Sequence, residues 1–199
     1  MDAASAIVVF IFFFSIISTA FQGGDHNTST QEIVRLAGID LPSPVFAAGS
    51  TAAETAIFSF VARYNRRLTV EEQQKITSSI VRAAQEYDVN PRLVAALIAR
   101  ESSFNRMAVS PTGALGLGQL LPSTAESLNV SDAFDVDQNV IGTTRYVKMQ
   151  LDRWAGESEQ VALALASYFQ GYNAVKRLGG YYVKTQAYIQ DIIRLANSI

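Results

Sequence analysis

From Leu68 onward, apolar residues recur three and four positions apart, and no long stretch alternates with a period of two. That pattern predicts a mostly α domain over residues 68–199. Thr69-Val70-Glu71-Glu72 has capping-box spacing, and Ile76, Ile80, Ala84 and Tyr87 follow on one helical face. Asn90-Pro91 sets an Asn cap before a proline at the first helical position, and Leu93, Val94, Leu97 and Ile98 mark one buried face. Pro122 opens a short helix. Asn139 to Trp154 carries Val140, Thr144, Val147 and Leu151 at helical spacing, and Trp154 reads as core. Ser158 is the expected cap of a helix through Phe169 that stops at Gly171. Gly179-Gly180 ends a shorter helix. Val183 to Ala196 is the last, with Tyr188, Ile192 and Leu195 on one face.

The N-terminal third follows a different pattern. Ala3 to Phe21 holds no charged residue, and its ~19 residues approach the length of a bilayer-spanning helix. Residues 1–22 are therefore expected to form an apolar helix serving as a signal peptide or membrane anchor. Ser18-Thr19-Ala20 supplies a small-x-small cleavage site, whereas no Lys or Arg precedes the run, so both forms stay open. Export or membrane anchoring is therefore expected. Residues 23–67 read as a linker or helical spacer. Leu41-Pro42-Ser43-Pro44 interrupts them, and a capping box at Thr51-Ala52-Ala53-Glu54 precedes a stripe of Ile57, Phe58, Val61 and Tyr64. That stripe either packs on the domain or belongs to the spacer.

Composition narrows the chemistry. The formal net charge of -2 gives no field to recruit nucleic acid. There is no Cys, and the only His, His26, precedes the domain, so thiolate or imidazole metal sites and a Ser-His triad are excluded from it. Carboxylates, hydroxyls and amides remain. No metal or organic cofactor is indicated, and a monomer is the expectation.

Glu101 falls four residues after Leu97 and three after Ile98, on the apolar face of its helix. A carboxyl group partly removed from water resists ionising, as a general acid near neutrality requires. The plainer reading is a helix-end Glu paired with Arg100 or Arg106. Gly113, Gly116 and Gly118 then cluster in a turn that closes on Gln119. No strand precedes it and no Lys-Ser/Thr follows, which argues against a phosphate cradle. A saccharide groove with Gln119 as its amide, or a plain turn, remain.

Longer blocks decide the weighting. Glu101-Ser102, Ala108 through Leu120 (AVSPTGALGLGQL) and Pro122-Ser123-Thr124-Ala125 resemble the soluble lytic transglycosylases, a lysozyme-like family. The likeness continues through Asn139-Val140-Ile141-Gly142-Thr143-Thr144-Arg145-Tyr146, through Ala164-Leu165-Ala166-Ser167-Tyr168-Phe169-Gln170-Gly171, and through Tyr188-Ile189. It covers roughly Ile76 to Ala196 with every block in order. The resemblance implies a lysozyme-like helical domain with a small glycine-rich turn region. It implies peptidoglycan glycan strands as substrate and Glu101 as the single catalytic acid. Ser102, Gly116, Gly118, Gln119, Tyr168 and Tyr188 become expected substrate-binding positions. Phe169 stands where the family often has Asn, so it is left out of the expected site. Gly118 replaces a commoner Met, which would widen the groove.

Cleavage of the β-1,4 bond between N-acetylmuramic acid and N-acetylglucosamine is then expected, closing a 1,6-anhydro ring. Ordinary glycosidases use two carboxylates. The next acids after Glu101 in the chain are Glu126, Asp132, Asp135 and Asp137, none obviously beside the turn. Hydrolysis of lysozyme type, or a non-catalytic wall-binding role in a secretion apparatus, are the alternatives.

Overall fold

The computed structural model describes residues 50–199. The predicted apolar segment 1–22 and the first part of the 23–67 spacer lie outside them. Among the described residues no helix is long and apolar enough to cross a membrane. Eight helices follow one another among those residues: α1 (Ser50–Tyr64), α2 (Val70–Glu86), α3 (Pro91–Ser102), α4 (Pro122–Ser127), α5 (Val136–Arg153), α6 (Gln160–Gln170), α7 (Tyr172–Leu178) and α8 (Val183–Asn197). Between α3 and α4 the chain makes two isolated bridges, Val109 to Leu115 and Leu115 to Leu120. The expected mostly α architecture with a small turn region is what folds.

Local chemistry explains most boundaries. The Thr69 side chain accepts from Glu72 N while Glu72 reaches back to the Thr69 amide, so the capping box forms in full. Asn90 Oδ1 accepts from Arg92 N at 2.9 Å, with Pro91 in the first turn. Gly179 ends α7 in a left-handed conformation. Three expected starts move. α1 already contains Thr51, so the Thr51–Glu54 box does not begin it. α5 starts at Val136, because Asp135 Oδ1 takes the Gln138 amide at 2.9 Å and Asn139 lies buried inside the helix. α6 starts at Gln160 without a side-chain cap, so Ser158 does not cap it.

α3 runs through the centre. Leu93 to Ala99 are all buried, and α1, α2, α5 and α8 pack around it. The stripe on α1 belongs to this core, since Ile57, Phe60 and Val61 are buried within it. The compact unit therefore reaches back beyond Leu68. α1 also grips the end of the acid-bearing helix. Phe104, fully buried, meets Phe60 and Tyr64 edge-on at 5.9 Å each, and Asn65 Nδ2 donates to Ser103 O at 2.9 Å. Ser103 and Phe104 both adopt left-handed backbone, at φ 52° and 60°. For a residue as bulky as Phe this is strained, and the aromatic packing holds it.

A second, smaller cluster of Leu120, Ala125, Leu128, Val130 and Ala133 lies under the turn region. Tyr168 packs against both clusters.

Candidate active site

Glu101 sits one residue before the end of α3 and keeps only part of its surface exposed. Its Oε1 accepts a 2.5 Å hydrogen bond from the Tyr188 hydroxyl, delivered by α8 from 87 residues away. Burial raises the carboxyl from 4.5 to about 7, against the Tyr188 hydrogen bond and the Arg100 charge, which pull it down. Desolvation of the charged form wins. Near neutrality the group is thus divided between acid and carboxylate. Arg100 is not its close partner: the guanidinium pairs with Asp191 at 3.5 Å and lies 5.4 Å from the centroid of the Tyr188 ring.

Tyr168 on α6 donates to Gly118 O at 2.6 Å. Burial, and then the charge of Glu101, push its phenol well above the ordinary range; the same two causes act on Tyr188. Both therefore remain hydroxyl donors. Tyr188 ties α8 to the acid-bearing helix, and Tyr168 ties α6 to the glycine turn.

The turn is held from outside by α5. Asn139, buried, donates from Nδ2 to Leu115 O at 3.1 Å and to Ala133 O at 2.8 Å. Its Oδ1 accepts from Gly118 N at 2.8 Å and from Thr143 Oγ1 at 3.3 Å. Crowding makes two glycines obligatory. A Cβ on Gly116 would lie 2.1 Å from Ala133 O, at φ +72°, and one on Gly118 would lie 1.8 Å from Thr143 Oγ1. Gly116 is therefore glycine because protein packs against it. Gly118 does not widen the groove as expected, because Thr143 fills the space. Gln119, at φ 51°, locks the turn with its amide: Nε2 donates to Gly116 O at 2.9 Å and to Ala108 O at 3.2 Å.

A cleft of about 270 Å³ opens here, lined by Gln119, Leu120, Leu121, Thr124, Tyr146, Tyr168, Phe169, Gln170 and Gly171. Tyr146 lies against Tyr168 with ring centroids 5.0 Å apart. Phe169, left out of the expected site, lines this cleft and stacks on Tyr188 at 4.6 Å with the rings 29° apart. Ser102 behaves otherwise than expected: it is buried, and its hydroxyl bonds back to Ile98 O at 3.3 Å rather than to the carboxyl.

Three of the four acids that next follow Glu101 in the chain have structural work. Asp135 caps α5, and Asp132 Oδ1 accepts from Phe134 N at 2.8 Å. Asp137 bonds Lys75, Ser79 and Arg82 on α2. Burial would raise its carboxyl, but those three partners outweigh that and hold it below the usual range. Glu126 is exposed on α4. None of the four lines the cleft, and neither does Glu101, which connects to its wall through Tyr188 and the Phe169 ring stacked on it. Among the described residues no group of three or more His, Cys, Asp or Glu side chains is placed to hold a metal ion.

Sequence reasoning pointed to Glu101, Gln119, Tyr168 and Tyr188, of which Tyr188 bonds Glu101 while Tyr168 and Gln119 bond the glycine turn. It gave no role to Asn139 and Thr143, although both stand in the Asn139–Tyr146 stretch that carries the family resemblance. An Asn amid apolar helical positions was the available signal, since a buried amide needs partners.

The likeness of this chain to known proteins agrees with that geometry. The chain belongs to the transglycosylase SLT domain family, whose model matches residues 78–190. It is 36% identical over 115 residues to a transglycosylase of Enterobacteria phage PRD1, covering 58% of this chain and 40% of that one. It is 41% identical over 88 residues to membrane-bound lytic murein transglycosylase F of Pectobacterium atrosepticum, covering 43% and 18%. The protein of the same name from Vibrio cholerae serotype O1 is 44% identical over 84 residues, covering 41% and 16%. The chain thus spans less than half the length of these relatives. Among solved structures, the 70 kDa soluble lytic transglycosylase from Escherichia coli superposes with a TM-score of 0.57 at 16% identity, over 73% of this chain and 29% of that one. That likeness is one of fold, and it agrees with the expected lysozyme-like helical domain.

Proposed function

We propose that this protein is a lytic transglycosylase that cleaves peptidoglycan between N-acetylmuramic acid and N-acetylglucosamine, with Glu101 as both acid and base. The observation that carries this reading is the Glu101 carboxyl, raised to about 7 by burial and held by Tyr188, whose ring stacks on Phe169 in the wall of a cleft of aromatic and amide groups. A group half-protonated at neutrality can give a proton and take one back in the same cycle.

In the proposed reaction Glu101 protonates the bridging oxygen, and the C1–O bond breaks as the muramyl ring becomes oxocarbenium-like. The ring's own 2-acetamido group stabilises that cation. The Glu101 carboxylate then takes the proton of the muramyl C6 hydroxyl, whose oxygen closes on C1. Glycan cleavage and the 1,6-anhydro ring result, with no water consumed. Tyr188 steadies the carboxylate between the two proton transfers, when charge sits on it.

The single-acid reading is supported by the engagement of Asp132, Asp135 and Asp137 elsewhere. Two-carboxylate hydrolysis needs a second acid within about 10 Å of the first. In this reading Gln119, Tyr168 and the backbone of the Gly116–Gly118 turn contact the glycan, and Ser102 supports the helix end. Peptidoglycan as partner implies a periplasmic or cell-envelope location, with residues 1–22 as signal or anchor. The test is release of soluble muropeptides from purified sacculi by the full chain and by Glu101→Gln. The reading expects release by the first and at most a trace by the second. Equal release from both would end it.

A further inference from the structure

Tyr188 is 2% exposed, whereas Phe169, stacked on it at 4.6 Å and lining the cleft, is 41% exposed. Phe169 thus covers one face of that phenol from the cleft wall, while the Arg100 guanidinium lies 5.4 Å from the ring centroid. A large apolar side chain on a cleft wall loses free energy of burial, so its stacking needs a reason. Its partner supplies one, since the Tyr188 hydroxyl is the group that grips the Glu101 carboxyl.

We propose that Phe169 is a positioning residue for the acid: its ring, stacked on Tyr188, holds the phenol against Glu101 and keeps water from the pair. The inference rests on Glu101 being the catalytic acid. Without the Phe169 ring, water reaches Tyr188, competes for its hydroxyl and solvates the carboxylate. The other groups facing this pair are Arg100 with its partner Asp191, and Tyr168, which in turn lies against Tyr146; their contacts do not run through Phe169. Burial is the largest influence on Glu101. Admitting water therefore moves its titration down, toward the ordinary carboxyl range.

The experiment is carbon-13 NMR titration of the full chain with labelled glutamate carboxyls, using Glu101→Gln to assign the Glu101 signal. Phe169→Ala and Phe169→Tyr are compared with the parent, with kcat and KM for soluble glycan fragments measured in parallel. In Phe169→Ala the Glu101 midpoint should fall by about one pH unit, and kcat should fall with it. Phe169→Tyr keeps an aromatic face and should restore both. A midpoint that stays or rises in Phe169→Ala overturns the proposal, as does a change confined to KM, which would make Phe169 a sugar-stacking surface alone. Because the titration does not depend on turnover, an active Glu101→Gln would defeat the proposed function while leaving the effect of Phe169 on the carboxyl separately readable.

Discussion

Replacing Glu101 by Gln should stabilise the fold, and only above mildly acidic pH. The carboxyl titrates at about 7 in the folded chain and at 4.5 when solvated. Below 4.5 the proton is bound in both states, so burial carries no ionisation penalty. Between 4.5 and about 7 the folded state holds its proton longer than the unfolded one, so stability falls as pH rises. Above about 7 the whole penalty is present. At ~1.36 kcal/mol per pH unit it amounts to about 3 kcal/mol. The substituted amide would still accept from the Tyr188 hydroxyl but cannot ionise. Thermal melts from pH 4 to pH 9 should give matching pH trends for the two proteins near pH 4. The variant should then gain a lead of roughly 6–12 °C above pH 7.5, using ~2–4 °C per kcal/mol for a domain of this size. A constant offset at all pH values, or a variant less stable at pH 8, would refute the claim that burial dominates the acid's environment.

Three further outcomes follow from the same geometry. Tyr188→Phe removes the hydrogen bond that pulls Glu101 down, so the basic limb of the kcat/KM profile should move above about 7, the opposite sign to that expected for Phe169→Ala. A chain beginning at Leu68 would lose Ile57, Phe60 and Val61 from the core; at about 1.5–3 kcal/mol per side chain the loss rivals the whole stability of a domain, so circular dichroism should find it unfolded or molten where a chain beginning at Ser50 melts cooperatively. Gly116→Ala forces a Cβ to 2.1 Å from Ala133 O and should cost roughly 3 kcal/mol or more. Gly113→Ala, equally left-handed but facing open space, should cost only about 1–2 kcal/mol by chemical denaturation.

The helical fold was legible because its signals are local. The Thr69 box, the Asn90-Pro91 start and the Gly179 stop act within one turn, and each forms as read. The burial of Glu101 was legible for a similar reason: its spacing from Leu97 and Ile98 already puts it on the apolar face, while its role as an acid came only with the family resemblance. Starts set by competition were not. Asp135 rather than Asn139 begins α5 because the asparagine amide is committed to the turn 20-odd residues earlier in the chain. Nor was the role of α1, whose apolar stripe looks the same whether it covers Phe104 or merely spaces two segments. Phe169 was set aside because it departs from the family pattern. Its contact with Tyr188 is long-range, and no spacing rule anticipates it.

The central claim is that one carboxyl does both proton transfers and no water enters. Mass spectrometry of muropeptides released from purified peptidoglycan by the full chain tests it most directly, with Glu101→Gln alongside. The account predicts 1,6-anhydromuramyl ends from the native chain and none from the variant. Reducing ends carrying solvent oxygen when the reaction is run in oxygen-18 water, again lost in the variant, would contradict it and make the protein a hydrolase.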